Sequence, residues 1–231
     1  MKNHAKLLLF DIDATLLLAG RAGRIAMDAA FQEVFHIPNA YDGTIPHGKT
    51  DPIIFREITE KFLNRAPDAA ELEQLCQTYT ARFRAEIPDS AGYRVLPGVK
   101  DLLDVLSQRK DITLGIQTGN LEETAWLKLE RGDLRRYFRC GGFASDALER
   151  TEIIGIVIER SRPYTAAALT ADNIFVIGDA EQDIRAGKEA GVRTIAVTTG
   201  RSTPKDLAVV LPDHILQDLT DIKAFLEIIE G

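Results

Sequence analysis

Residues 7–15 read LLLFDIDAT, a short apolar run that ends in two acids separated by one residue. A run bounded in this way is typical of a strand that is buried on both faces of a parallel sheet. Ligands bind outside the carboxyl ends of such strands, so we expect Asp11 and Asp13 at a ligand crevice. Residues two apart on an extended segment point the same way, which lets both carboxylates address one centre. The alternative is that Asp13 and Thr15 only cap the following element.

Three later apolar runs have the same form, at Ile112–Ile116, Ile174–Ile177 and Thr194–Val197. Helical patterns lie between them. Val99–Leu106 has apolar residues at helical spacing, and the segment Asp183–Ala190 is followed by Gly191, which is typical of a helix end. Strands that alternate with helices predict an α/β fold, a Rossmann-like doubly wound parallel sheet with right-handed crossovers.

The segment 18–92 interrupts this alternation, because it is helical in pattern and contains no convincing buried strand. Its candidate helices are Ala26–Phe35, Pro52–Phe62 and Ala69–Ala85. The segment is far longer than an ordinary connection between a strand and a helix. We therefore predict an α/β core made of residues 1–17 and 93–231, with residues 18–92 inserted as an all-helical domain.

A second strand end carries Thr118, Gly119 and Asn120 ahead of a helical segment. A threonine hydroxyl and backbone N–H groups at the head of a helix can bind the oxygens of an anion. The alternative is a turn that simply begins the helix.

A third strand end reads GDAEQD over residues 178–183. Asp179 should emerge at the same sheet edge as Asp11, and two acids with a backbone carbonyl and waters suit octahedral Mg²⁺. Asp183 fits a role in orienting the site. As an alternative, Asp179 and Asp183 are acids favoured at a helix N-terminus by the helix dipole.

The composition limits the classes of partner. A net charge of −7 and a pI near 5.2 argue against a nucleic-acid-binding face. No segment approaches the roughly 18 apolar residues of a membrane span, and the first apolar run is too short for a signal peptide. Cys76 and Cys140 lie far apart without metal-ligand spacing, which favours reduced thiols. We expect a cytoplasmic protein that binds neither nucleic acid nor membranes.

Taken together, the strand ends resemble the haloacid dehalogenase-like hydrolase superfamily over nearly the whole chain. The resemblance is greatest to phosphoglycolate phosphatase-like members, which carry a helical cap after the first motif. The matching segments are LFDIDATL at 9–16, LPGV at 96–99, LGIQTGN at 114–120 and VIGDAEQD at 176–183.

This resemblance implies a Mg²⁺-dependent phosphatase acting on a small phosphorylated metabolite. Asp11 would be the nucleophile that forms an aspartyl-phosphate, and Asp13 the general acid and base. The metal ligands would be Asp11, the backbone carbonyl of Asp13 and Asp179, and Asp183 would orient these groups. Thr118, with the neighbouring Gly119 and Asn120, would bind the phosphoryl oxygens.

The chain departs from the family pattern at two positions. Ala14 stands where the family usually has glycine, so the loop is expected to be strained or reshaped. The family lysine before the acidic motif is also missing, since no lysine lies within residues 129–187. Arg150 is the predicted replacement, with Arg160 and Arg162 as fallback candidates. The alternative is that Arg150 is a solvated helix residue.

The cap offers weaker candidates in the HGKTD segment at 47–51, which resembles a loop that reaches over the substrate in related phosphatases. Lys49 would contact an anionic leaving group, or it is an ordinary exposed lysine. Arg21 and Arg24 are further candidates at the entrance.

Other functions remain open at this point. A sugar phosphomutase would use the same Asp pair, and a catalytically weakened phosphate-ester-binding protein would explain Ala14 and the missing lysine. Carbon–halogen hydrolysis is disfavoured, because dehalogenating relatives do not normally keep the second acid, Asp13. The sequence leaves the physiological substrate and the choice between monomer and homodimer undetermined.

Overall fold

The computed structural model describes residues 5–165 and 167–231. The strands are β1 (Lys6–Phe10), β2 (Leu17–Ala19), β3 (Tyr93–Val95), β4 (Ile112–Gln117), β5 (Cys140–Gly142), β6 (Ile174–Gly178), β7 (Arg193–Val197) and β8 (His214–Leu216). The helices are α1 (Ala22–Phe35), α2 (Asp51–Leu63), α3 (Ala69–Glu86), α4 (Val99–Ser107), α5 (Glu122–Arg131), α6 (Arg150–Ser161), α7 (Glu181–Glu189), α8 (Pro204–Val209) and α9 (Ile222–Glu230). Among the residues described, no helix has the length and hydropathy that a membrane crossing requires.

The main sheet has the strand order β5-β4-β1-β6-β7-β8, and all neighbouring strands are parallel. From β1 the chain runs outward through β4 to β5, then returns to β6 and runs outward in the other direction. The connections therefore diverge between β1 and β6, which is the switch point where such sheets bind ligands. The predicted doubly wound parallel sheet is confirmed.

The central strand β1 is buried on both faces. Leu8 and Phe10 belong to one hydrophobic cluster, whereas Leu7 and Leu9 belong to another on the opposite face. This alternation follows the two-residue period of a strand. Each of these side chains is fully buried, and burial of one of this size contributes about 1.5–3 kcal/mol. The residue that follows β1 is therefore attached to one of the most tightly packed parts of the molecule.

The inserted segment forms helices α1, α2 and α3, and each predicted helix of this segment lies within the bounds of an observed one. These helices pack on one another through a hydrophobic cluster that includes Phe31, Phe55 and Phe83 and extends to Leu121, which precedes α5. The start of α3 is fixed by a reciprocal cap, because Asp68 accepts a hydrogen bond from the Glu71 N–H and Glu71 accepts one from the Asp68 N–H.

A two-stranded antiparallel ribbon, β2 with β3, joins the inserted helices to the sheet. Neither strand was predicted from the sequence, and neither were β5 and β8. Gly20 follows β2 with a φ of 71°, and a Cβ added there would lie 2.4 Å from the Ala91 carbonyl oxygen. Glycine is needed at this position because the backbone turns sharply and passes close to the returning chain.

Candidate active site

Three buried acids meet at the switch point of the sheet. Asp11 follows β1, Asp179 follows β6, and Asp183 lies in the first turn of α7. Oxygens of the three carboxylates lie within 4.8 Å of one another. Because Phe10 pairs with Ile177, β1 and β6 end at the same level and deliver their acids to one centre.

The electrostatics of this cluster fit a divalent cation. Burial, followed by the charge of Asp183, raises the pKa of Asp11 to about 7. Burial and the charge of Asp11 raise the pKa of Asp179 to about 8. Within the described part of the chain, Asp11 Oδ1 and Asp179 Oδ2 are buried without a hydrogen-bond partner. Buried charges require a counter-charge, and carboxylate oxygens are ligands that Mg²⁺ prefers, so this donor set fits a metal site.

Asp183 differs from the other two acids because both of its oxygens are engaged. Oδ1 accepts hydrogen bonds from Gln117 Nε2, at 2.9 Å, and from the Arg150 guanidinium. Oδ2 accepts one from the Ala180 N–H at 3.2 Å. An acid occupied in this way fits an orienting role better than a direct metal contact.

The loop after Asp11 turns at Ala14, which has a φ of 59°. A side chain in this left-handed conformation costs roughly 1–2 kcal/mol, so the strain expected from the sequence is present. The Thr199 hydroxyl donates to the Ala14 carbonyl at 2.6 Å and helps to hold the turn. The Thr15 hydroxyl donates to Asp179 Oδ1 at 3.2 Å, so it serves the acid cluster rather than a helix cap.

The 118–120 loop lies between the acids and the inserted helices. Thr118 is fully buried, and its hydroxyl oxygen accepts a hydrogen bond from the Asn120 N–H at 3.4 Å. Asn120 lines the central cavity, whereas Thr118 and Gly119 do not. Gly119 instead packs against the inserted segment, where its carbonyl accepts a hydrogen bond from the Asp51 N–H at 2.7 Å.

Arg150 opens α6 and turns its guanidinium toward the acids, with 10% of its side chain exposed. It contacts Asp183, lies 3.9 Å from Asp11 Oδ1 through Nη2, and donates from Nε to the Gly48 carbonyl at 3.1 Å. Arg150 is therefore a buried cation beside Asp11 rather than a solvated helix residue. The fallback candidates, Arg160 and Arg162, form ion pairs elsewhere, with Asp146 and Glu159.

The acids open into a cavity of about 560 Å³ between the sheet edge and the inserted helices. Lys49 lines it, but its ammonium pairs with Glu57 at 2.7 Å. Arg24 also lines it and pairs with Asp42 at 2.5 Å. Arg21, the remaining entrance candidate, is not among the lining residues.

The sequence is similar to a known protein family and to several known proteins. A family model described as haloacid dehalogenase-like hydrolase matches residues 8–197. The chain belongs to this family. A phosphoglycolate phosphatase of Agrobacterium fabrum (strain C58) is 28% identical over 218 residues, which cover 92% of this chain and 88% of that protein.

Two further proteins are similar to this chain over nearly its whole length. The pyrophosphatase PpaX of Anoxybacillus flavithermus is 26% identical over 219 residues, 95% of each chain. The crystal structure of a predicted phosphatase from Clostridium acetobutylicum superimposes with a TM-score of 0.73 at 18% identity, covering 97% of this chain and 99% of that one. At that identity the structural likeness shows the fold alone.

One residue of this haloacid dehalogenase-like site was missed from the sequence. Lys128 lies in α5, is 5% exposed, and places Nζ 2.6 Å from Asp13 Oδ2. A signal for it did exist, because Lys128 shares the buried face of α5 with Ala125 and Leu129. A lysine at a buried helical position requires a polar partner, which makes it a candidate for a site.

Proposed function

We propose that the chain is a Mg²⁺-dependent phosphatase that hydrolyses a small phosphorylated metabolite through an aspartyl-phosphate on Asp11. The enzyme class is a phosphatase of the haloacid dehalogenase superfamily, a hydrolase acting on phosphate esters. The observation that carries the proposal is the pair of partnerless, buried carboxylate oxygens on Asp11 and Asp179, which lie beside Arg150 at the mouth of a cavity.

The ion would be held by Asp11, Asp179 and the backbone carbonyl of Asp13. When bound, it supplies the positive charge that lets two adjacent carboxylates ionise and that stabilises phosphoryl oxygens. Asp183 and Arg150 would keep this arrangement fixed, because they hydrogen-bond to each other and lie on separate elements.

The reaction would proceed through this chain's own groups in two displacements. A carboxylate oxygen of Asp11 forms a bond to phosphorus while the ester bond breaks, and Asp13 gives its proton to the leaving oxygen. Asp13 then takes a proton from the water that attacks the aspartyl-phosphate, which frees Asp11 and inorganic phosphate. Arg150 and the N–H group of Asn120, which line the cavity, would bind the phosphoryl oxygens, and Thr118 and Gly119, which do not line it, would support the loop that carries Asn120.

We assign residues 18–92 to a helical cap over a core of residues 1–17 and 93–231. Three contacts support a closed arrangement of cap and core. The Gly48 carbonyl accepts from Arg150, His47 Nδ1 lies 3.7 Å from Asp179 Oδ2, and Asp51 bonds to Gly119. A closed cap excludes water from the cavity, and its lining would select the leaving group.

The test is phosphate release from a panel of phosphomonoesters, including phosphoglycolate, with Mg²⁺ and with a chelator. Asp11→Asn should lower turnover by at least about 10³-fold and leave the fold intact, because it removes the nucleophile. Asp89→Asn, at an exposed acid that does not line the cavity, is the matched control. Undiminished turnover in Asp11→Asn refutes the proposal, and activity that requires a bisphosphorylated activator identifies a phosphomutase instead.

A further inference from the structure

The ammonium group of Lys128 is held in place by several contacts. Besides Asp13, its Nζ donates to Asn120 Oδ1, and it lies 5.6 Å from the centre of the Phe83 ring on α3. A nearly buried lysine with two oxygen partners and an aromatic neighbour has little freedom to move. Its position is therefore set by α5, the 118–120 loop and the inserted helices together.

Asp13 is in the opposite situation, because 42% of its side chain is exposed and it lines the cavity. An aspartate with this exposure can occupy several side-chain rotamers. The contact from Lys128 engages Oδ2. It selects one orientation of the carboxyl group and leaves Oδ1 as the oxygen available to a ligand in the cavity.

If the ion pair only stabilised the fold, its acid would not need to line the cavity. Burying a charged pair is at best weakly stabilising, and an apolar side chain of similar size often serves as well. Here the partner is a cavity-lining acid, and the lysine reaches it from a different element of the core. The pair therefore constrains a group that faces the ligand.

We propose that Lys128 is a positioning residue that fixes the carboxyl group of Asp13 for proton transfer to and from the reacting oxygens. This inference rests on the proposed function, because it assigns Lys128 a role through the acid and base of that reaction. In the first displacement the Asp11–phosphorus bond forms and the ester bond breaks. The electron pair passes to the leaving oxygen, which takes the proton of Asp13.

The leaving group provides the readout. An alkoxide is a poor leaving group and needs the Asp13 proton as the ester bond breaks, whereas p-nitrophenolate leaves without it. A misplaced Asp13 should therefore slow alkyl phosphates selectively. A variant that is only less stable or less well folded would lose both activities in parallel.

The experiment measures kcat/KM for glycerol phosphate and p-nitrophenyl phosphate with Mg²⁺, in wild type, Lys128→Gln, Lys128→Met and Asp13→Asn. This ratio of constants reports steps up to departure of the alcohol, so later hydrolysis does not affect it. In the Lys128 variants we expect kcat/KM to fall about 10²-fold for the alkyl ester and no more than about threefold for the aryl ester. The double variant Lys128→Gln with Asp13→Asn should have the same kcat/KM as Asp13→Asn alone.

Lys6→Gln is the matched control, since Lys6 is also buried but lies at the opposite end of β1 from the acids. Equal losses on both esters, or a further loss in the double variant, would overturn the inference. Should the Lys128 variants fail to fold, Asn120→Ala keeps the lysine and removes one of its anchors; an unchanged preference between the esters there also overturns it. Wild-type protein inactive on these esters and on the whole panel of phosphomonoesters would overturn the proposed function, and this inference with it.

Discussion

Ala14 occupies a backbone conformation that alanine adopts only at a cost, with a φ of 59°. Replacing it with glycine relieves that strain but increases the entropy of the unfolded chain. We expect Ala14→Gly to raise the free energy of unfolding by up to about 1 kcal/mol, measured by urea denaturation. The matched control is Ala81→Gly in the exposed face of α3, which should lower it by about 1 kcal/mol. If the two substitutions change stability in the same direction, Ala14 is not strained.

At the level of single residues, the sequence was informative wherever a side chain stands next to a recognisable strand end. Asp11 and Asp179 could be placed together because parallel strands end at one edge. Arg150 could be named only by its position along the chain. The helical pattern of α5 indicates that Lys128 is buried, but it does not identify the partner, because Asp13 is 115 residues away in the sequence.

Between elements, Gly119 makes a close contact with the inserted segment. A Cβ added there would lie 2.5 Å from the Lys49 carbonyl oxygen and 3.0 Å from Thr50 Cα, and both are backbone atoms. Gly119→Ala must therefore displace the start of α2 from the 118–120 loop. We expect kcat/KM to fall by about tenfold or more, because a small misplacement of a site is costly.

Gly155→Ala is the control for Gly119→Ala. Gly155 lies in α6, and an added Cβ there meets nothing within 4 Å. It should raise the free energy of unfolding by up to about 1 kcal/mol and leave kcat/KM unchanged. Normal activity in Gly119→Ala would mean that close packing of the start of α2 on this loop is not needed for turnover.

The elements that could be predicted are those that carry a strong pattern. Apolar runs identified β1, β4, β6 and β7, because central strands of a parallel sheet are buried on both faces. β5 is Cys140–Gly142, and two glycines give no strand signal. β8 is a three-residue strand at the sheet edge with only partial burial, so it lacks the apolar run of the central strands.

On the scale of the whole molecule, alternating strands and helices were enough to predict the sheet and its ligand edge. The relation of the inserted helices to that edge could not be predicted. It depends on contacts such as Arg150 with Gly48, 102 residues apart, and Asp51 with the Leu121 N–H, 70 residues apart. Such contacts join residues that are far apart in the chain, and a single sequence does not specify which of them meet.

The raised pKa values of the acid cluster predict how the stability of the whole protein changes with pH. Folding raises the pKa of Asp11 to about 7 and that of Asp179 to about 8, from an ordinary value of 3.8. Between about pH 4 and pH 8 the metal-free folded protein therefore binds protons that the unfolded chain has released. Its stability should fall as the pH rises through this window, by at most about 1.4 kcal/mol per pH unit for each group.

Mg²⁺ should reverse this trend, because protons and the cation compete for the same carboxylates. The increase in thermal midpoint on adding Mg²⁺, relative to a chelator, is therefore expected to be small at pH 5 and larger at pH 8. In Asp179→Asn the Mg²⁺ effect should disappear and the slope with pH should become shallower. A residual slope should remain from Asp11, whose pKa burial and Asp183 raise, and from Asp51, whose pKa burial raises to about 6. A Mg²⁺ effect of equal size at both pH values, or one that persists in Asp179→Asn, would mean that the ion binds elsewhere and that these acids have another counter-charge.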